Sequence, residues 1–261
     1  MASDAARRID GRKRRTQKLI PVDAMILAAG LGTRLGDIGR DTPKALIDVA
    51  GATMLEHAAR TLVAAGADRL IINVHHHADR ITEFVAATDL HAEAVVSVEE
   101  DQPLETGGGL WHARSHFRRD EPFFLYNVDI ITDADLVAMH RAHATTGAIA
   151  TLATGTREST RRLLFDDHGL YGRTDEDRDL RIEARPPRGR HMALAFAGIH
   201  VISPELFERI DERGRFSILE PYLRLAGEDE RILPWSIDGC TWIDVGTPAR
   251  LLEARRVLPA R

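Results

Sequence analysis

The segment Leu27-Ala28-Ala29-Gly30-Leu31-Gly32-Thr33-Arg34-Leu35 has the composition of a phosphate-binding turn. Small residues and two glycines let backbone N–H groups converge on an anion with no side chain in the way. The glycines alone also fit a plain turn between a strand and a helix. The cations that follow favour the phosphate reading. Arg34 and Lys44 stand ten residues apart, and Gly36, Asp37, Gly39 and Pro43 between them exclude a regular helix. Both side chains can therefore fold back over the turn. A phosphate about 4 Å from one cation gains ~4 kcal/mol at the dielectric of a protein surface. The turn is not a Walker A loop, which ends in Gly-Lys-Ser/Thr. It also lacks the third glycine of a dinucleotide fingerprint, where Leu35 stands.

Charge sets those cations apart. The 261 residues include 35 basic and 40 acidic side chains, a net charge of −5. Residues 1–20 hold seven basic residues against two acidic ones, so 21–261 carries −10. A body that acidic is a poor partner for nucleic acid. Of the 35 basic residues 32 are arginine, and Lys44 is the only lysine beyond residue 20. The basic arm 1–20 lacks apolar periodicity and reads as a solvated, disordered segment. The single cysteine, Cys240, excludes a disulfide framework. No apolar run is long enough to span a bilayer or to act as a signal core. The expectation is a cytoplasmic protein without membrane insertion.

The elements that must position the turn are legible as alternating patterns. Residues 22–28, 69–74, 93–98, 123–126, 148–153 and 242–245 read as strands. Thr53 and Glu56 form a capping box that opens a helix ending near Gly66. Residues 78–87 and 133–145 are helical, and Thr247-Pro248 caps a last helix to about 257. Ser203-Pro204 and the Ser217/Glu220 pair also start helices. Between them, 161–185 reads as short strands and turns, and 192–202 as a long apolar run. No hexapeptide repeat follows. The alternation predicts an α/β fold: a mostly parallel central sheet with helices on both faces. Residues 21–261 read as a single domain with an inserted, substrate-facing half.

On these elements the motifs resemble those of the sugar-1-phosphate nucleotidyltransferases. The turn 28–34 with Pro43-Lys44 is similar to that family's signature. Gln102-Pro103-Leu104-Glu105-Thr106-Gly107-Gly108-Gly109-Leu110 resembles its nucleobase loop, especially that of N-acetylmuramate-1-phosphate uridylyltransferases. Asn127-Val128-Asp129 stands where the family has Asn-Gly-Asp after a strand, and Trp242-Ile243-Asp244-Val245-Gly246-Thr247-Pro248 resembles its second acidic motif. The match runs over about 22–257.

The resemblance implies a Rossmann-like, GT-A-like domain that joins a nucleoside triphosphate to a sugar 1-phosphate and releases pyrophosphate, making a nucleotide sugar such as a cell-envelope precursor. It implies Mg²⁺ held by Asp129 and Asp244, with Arg34 and Lys44 on the phosphates. Leu27, Ala28, Ala29, Gly30, Gly32, Thr33, Arg34, Glu105, Thr106 and Gly107 would bind the nucleotide. Asn127, Glu183 and Arg185 would bind the sugar phosphate, although Arg188 and Arg190 compete for the last role. UTP with an N-acetylmuramate-1-phosphate-like acceptor leads. GTP with mannose or heptose 1-phosphate is the alternative, with Glu100 accepting from guanine's two N–H groups. Val128 replaces a glycine and is expected to crowd the sugar side. Asp37 replaces a common proline.

Other readings of the same residues are weaker. Taken singly, Asp129 and Asp244 also fit the lead-in to a helix cap. His75-His76-His77 and the His112/His116 pair have no cysteine beside them, which argues against zinc. Leu110, Trp111 and Phe117 read as core. A nucleotide-sugar-binding regulator without turnover would explain Val128 but not the retained Lys44, Asp129 and Asp244. An NAD-dependent dehydrogenase would need an acidic residue where the second strand ends Asn73-Val74-His75. Oligomeric state is not legible.

Overall fold

The computed structural model describes residues 21–30 and 32–258; the basic arm expected at 1–20 lies outside the described residues. The first strand, β1 (Val22–Leu27), is followed by the Gly-rich turn and a one-turn helix, α1 (Asp37–Asp41). That helix departs from the expectation of no helix between Arg34 and Lys44. It is confined to one turn by Gly36 (φ 61°) before it and extended Thr42 after it. The short strands β2 (Asp48–Val49) and β3 (Ala52–Thr53) lead into α2 (Met54–Ala64). Its capping box is formed: Thr53 Oγ1 accepts from Glu56 N–H at 3.2 Å, and Glu56 Oε2 accepts from Thr53 N–H at 2.8 Å.

β4 (Ala67–Val74), α3 (Ala78–Ala87), β5 (Glu93–Val98), α4 (Glu105–His112) and β6 (Phe123–Asn127) complete the first half. Strands β6, β1, β4 and β5 lie side by side and parallel. Consecutive residues of β1 enter different cores: Ala24 and Ile26 face α2 and α3, whereas Met25 faces α4. That period of two puts helices on both faces of the parallel centre.

The second half, where 161–185 reads as short strands and turns, is mostly antiparallel, a pairing that the sequence pattern did not reveal. β7 (Ile130–Thr132), α5 (Leu136–Ala144) and β8 (Ala150–Gly155) are followed by the strands β9 (Arg161–Asp166), β10 (Gly169–Asp175) and β11 (Leu180–Glu183). The twelve-residue β12 (His191–Ile202) joins the halves: its end pairs with β6, and its start pairs with β9. α6 (Leu206–Arg209) and α7 (Leu219–Gly227) cover the same face as α4. Then come β13 (Ile232–Ser236), parallel to β8, and β14 (Trp242–Asp244), antiparallel to β7. α8 (Pro248–Val257) closes the chain, with Thr247 accepting from Arg250 N–H at 3.4 Å and Pro248 at its first turn. No helix among the described residues is long and apolar enough to cross a membrane.

Candidate active site

Two cavities adjoin: the first opens at the C-terminal ends of the parallel strands β1, β4 and β6, where α/β sheets bind ligands, and the second meets these strands only at Asn127. The first, of about 430 Å³, is walled by Leu27, Ala28, Ala29, Gly30, Gly32, Thr33 and Arg34 of the turn, and by Lys44, Asn73, Thr106 and Asp129. The second, of about 520 Å³, is walled by β9, β10, β12 and the segment 242–250. Arg34, Asn127 and Gly246 border both, so they mark the seam between them.

Local geometry explains why the turn carries glycine. Gly32 has φ 65°, a left-handed conformation that favours glycine, and it begins the short 3-10 turn that carries Arg34. A Cβ on Gly39 would lie 2.4 Å from the Gly32 carbonyl oxygen, so α1 packs directly on the turn. A Cβ on Gly32 would lie 3.5 Å from that of Lys44, which places the lysine stem against the turn. Both cations do border the first cavity.

The two aspartates, far apart in sequence, are brought together by backbone pairing. β7 and β14 form a three-residue antiparallel ladder with Asp244 opposite Ile130. Val245 N–H then donates to the Asp129 carbonyl at 2.8 Å. Asp129 ends up on the wall of the first cavity and Asp244 on that of the second. Lys44 Nζ donates to Asp129 Oδ2 in an ion pair whose side chains are only 12% and 14% exposed. Burial, and then the charge of Asp129, push the Asp244 carboxyl above its ordinary pKa, against the pull of Lys44 and Arg34. Asp244 Oδ1 is buried with no hydrogen-bond partner among the described residues. An orphaned carboxylate oxygen beside a second carboxylate suits a hard divalent cation, which takes its remaining oxygens from phosphates and water.

Gly246 completes this arrangement, and the sequence reading gave it no role. A Cβ there would lie 2.7 Å from Asp244 Oδ1 and 3.0 Å from Arg34 Nη2. Any side chain at 246 would therefore collide with both the carboxylate and the guanidinium. Asn73, on the first cavity's wall, was also missed, as was Glu99 behind it. Glu99 is buried; Oε1 accepts from Asn73 Nδ2 at 2.9 Å, and Oε2 accepts from Leu104 N–H at 2.8 Å. It thereby ties the loop before Thr106 to the strand ends. The available signal was polar residues closing two adjacent apolar strands. Glu105 begins α4 at φ 62° and is held by Arg215, 3.0 Å from Nε, on the first cavity's wall.

Several expectations require correction. Glu100 is exposed and borders neither cavity; its neighbour Glu99 is the buried carboxylate. Gly107 is packing rather than cradle. Its N–H donates to the Phe216 carbonyl at 3.0 Å, and a Cβ would lie 2.4 Å from the Phe216 ring. Arg185 is committed to a buried ion pair with Asp166, at 2.5 and 2.8 Å, so it is removed from the acceptor-binding candidates. Glu183 is exposed, pairs with Arg181 at 2.6 Å, and borders neither cavity. Val128 lies on the first cavity's wall and in the core and does not border the second cavity; its N–H follows the β1 edge to the Leu27 carbonyl at 3.3 Å. Trp111 packs at the edge of the core that holds Leu110 and Phe117: it is half-buried, with Arg114 and Arg213 4.4 and 4.2 Å from its ring centroid.

The parallel strand ends, the Gly-rich turn and the paired carboxylates define a nucleotide-handling α/β protein. The chain belongs to the nucleotidyl transferase family, whose pattern it matches over residues 23–260, and it is accordingly a nucleotidyltransferase. It is 33% identical to the N-acetylmuramate alpha-1-phosphate uridylyltransferase of Caulobacter vibrioides over 242 residues, covering 90% of this chain and 96% of that one. It is 31% identical to the mannose-1-phosphate guanylyltransferase catalytic subunit beta of Drosophila pseudoobscura pseudoobscura, covering 88% of this chain and 60% of that one. The fold is that of HddC from Yersinia pseudotuberculosis complexed with GMP-PN, with a TM-score of 0.70 at 21% identity, covering 90% and 98% of the two chains.

Proposed function

We propose that the protein transfers a nucleoside monophosphate from a nucleoside triphosphate to a sugar 1-phosphate, with UTP and an N-acetylmuramate-1-phosphate-like acceptor as the leading pair. The observation that carries the reading is the seam. Lys44 and Asp129 face the turn's cavity, Asp244 faces the other, and Arg34 borders both. The triphosphate occupies the first cavity and the acceptor the second. Their phosphates then meet beside two cations and two carboxylates.

The chemistry needs no side-chain nucleophile. A phosphate monoester is largely dianionic at neutral pH. Its oxygen attacks the α-phosphorus, the new P–O bond forms, and the bond to the β-phosphate breaks as pyrophosphate leaves. Arg34 holds the triphosphate with a planar fork, and Lys44 places a compact charge beside the reacting phosphate. Holding both anions in line is worth up to about 7–11 kcal/mol. Mg²⁺ held by Asp129 and Asp244 would neutralise charge on the α-phosphate and the departing pyrophosphate. Asn127 lies where it can orient the acceptor.

The relative matched over nearly its whole length supports UTP. Glu105, a carboxylate on the first cavity's wall, favours the second reading, GTP with mannose or heptose 1-phosphate. Arg215 already engages that carboxylate, which weighs against guanine. The test is pyrophosphate release across a matrix of four NTPs and a panel of sugar 1-phosphates, with Mg²⁺ and with EDTA. No release in any combination would overturn the proposal, whereas binding without turnover would favour a regulator.

A further inference from the structure

The wall of the second cavity carries two buried polar atoms with no hydrogen-bond partner among the described residues, Arg173 Nε and Asp175 Oδ1. The residues stand two apart on β10, so their side chains share a face. Antiparallel register sets Leu163 and Arg161 of β9 directly opposite them. Asp175 Oδ2 is already engaged, 3.4 Å from Arg161 Nε. The Arg173 side chain makes no hydrogen bond or ion pair among the described residues.

Apart from Arg34 at the seam, the other arginines of this cavity have partners: Arg161 pairs with Asp175, and Arg162 Nε donates to the Ser159 carbonyl at 3.1 Å. The Arg157 guanidinium lies 3.7 Å from the Trp242 ring centroid and donates to the Ala195 and Phe196 carbonyls. Arg250 pairs with Glu253 at 2.8 Å. A half-buried guanidinium without a counter-ion is costly, and buried polar atoms without partners call for an explanation such as a ligand. The acceptor's 1-phosphate must lie at the seam, near Arg34, to reach the α-phosphate. It leaves Arg173, on the β10 wall, with nothing to bind.

We infer that the acceptor sugar carries a second anionic group, a carboxylate or a second phosphate, which Arg173 receives while an adjacent hydroxyl or amide N–H donates to Asp175 Oδ1. The inference rests on the nucleotidyl-transfer reading above. Both anions match a guanidinium fork, so the chemistry is shared and the acceptors of the test separate them.

The experiment measures kcat/KM for a neutral sugar 1-phosphate, a carboxylated one and a bisphosphate, in wild type, Arg173→Gln and Arg173→Lys. Wild type should prefer an anion-bearing acceptor or use only such acceptors. Arg173→Gln should cut the ratio of kcat/KM, acidic over neutral, by about 10–100-fold, the scale of a charge-assisted hydrogen bond. Where only acidic acceptors react, their kcat/KM should fall by that factor. The acceptor with the larger loss identifies the group. Arg173→Lys, which keeps the charge, should restore part of the preference, and it carries the test if the glutamine variant misfolds. An unchanged ratio, or an equal loss on neutral and acidic acceptors, overturns the inference alone. Absence of turnover with every acceptor overturns the nucleotidyl-transfer reading and the inference with it.

Discussion

Replacing Lys44 with methionine removes the ammonium that donates to Asp129 Oδ2 and whose charge also draws down the pKa of Asp244. Methionine keeps a similar apolar stem, so the stem's contact with the turn at Gly32 survives. Two unit charges about 4 Å apart interact by ~4 kcal/mol at an effective dielectric near 20. During transfer the same cation faces the charge of the reacting phosphates. Losing one such preorganised contact costs about 10²–10³ in kcat. Lys44→Arg keeps the charge but replaces a compact donor with a longer planar fork, for which a loss of roughly 10-fold or more is expected. The assay is the initial rate of pyrophosphate release at saturating substrates, alongside a thermal melt to verify folding. Wild-type turnover in Lys44→Met would refute the assignment, and wild-type turnover in Lys44→Arg would show that any cation serves.

Four further outcomes follow from the geometry. Asp244→Asn should lower kcat by at least ~10² while stabilising the ligand-free protein, because a carboxyl whose pKa is raised in the fold opposes folding once ionised. The loss of stability as pH rises through that raised pKa is absent in the variant, which should therefore melt higher than the wild type at pH 7. Gly246→Ala forces a methyl to within 2.7 Å of Asp244 Oδ1 and should cost about 10²-fold in kcat with the melting temperature little changed. Arg185→Ala should cost about 3–5 kcal/mol of stability, measured by urea unfolding, with acceptor KM unchanged in the folded enzyme. Burial would raise the Asp166 carboxyl, but Arg185 and two backbone N–H groups hold it well below 3.8; that stabilisation is present above 3.8 and fades as pH falls below it. Burial lowers the pKa of His200 to about 3 and of His143 to about 4, so both stay neutral in the fold. The unfolded chain protonates them below about 6.5, and melting temperature should therefore fall as pH drops from 6.5 towards 4.

The strands at 93–98 and the helix at 78–87 follow from residue order alone, since a half-buried element shows its period locally. So does the capping box of α2, whose partners are three residues apart. β14 falls within the strand read at 242–245, but β7 is different: three residues are too few to show a period, and its pairing with β14 alone gives it meaning. β13 went unread because Pro234 and Trp235 break its alternation, yet its parallel pairing with β8 holds it in place. The glycines 107–109 looked like a loop beside a base. They lie inside α4, where Phe216, the Gly214 carbonyl and Glu99 leave no room for a Cβ.

The sequence by itself determined the chemistry available: a turn open to an anion, an arginine and a lone lysine to face it, and two aspartates on motifs of one family. These are properties of residue type and short spacing, and they travel with the chain wherever it folds. Which charged groups are free to act was decided only by tertiary structure. Asp244 keeps an unpartnered oxygen because the β7–β14 ladder buries it beside Asp129. Arg185 lost its expected role because the fold set Asp166 against it, and Arg173 was left without a counter-ion on the opposite account. A charge's availability depends on its burial and on its neighbours across the sheet, and neither is a local property of sequence.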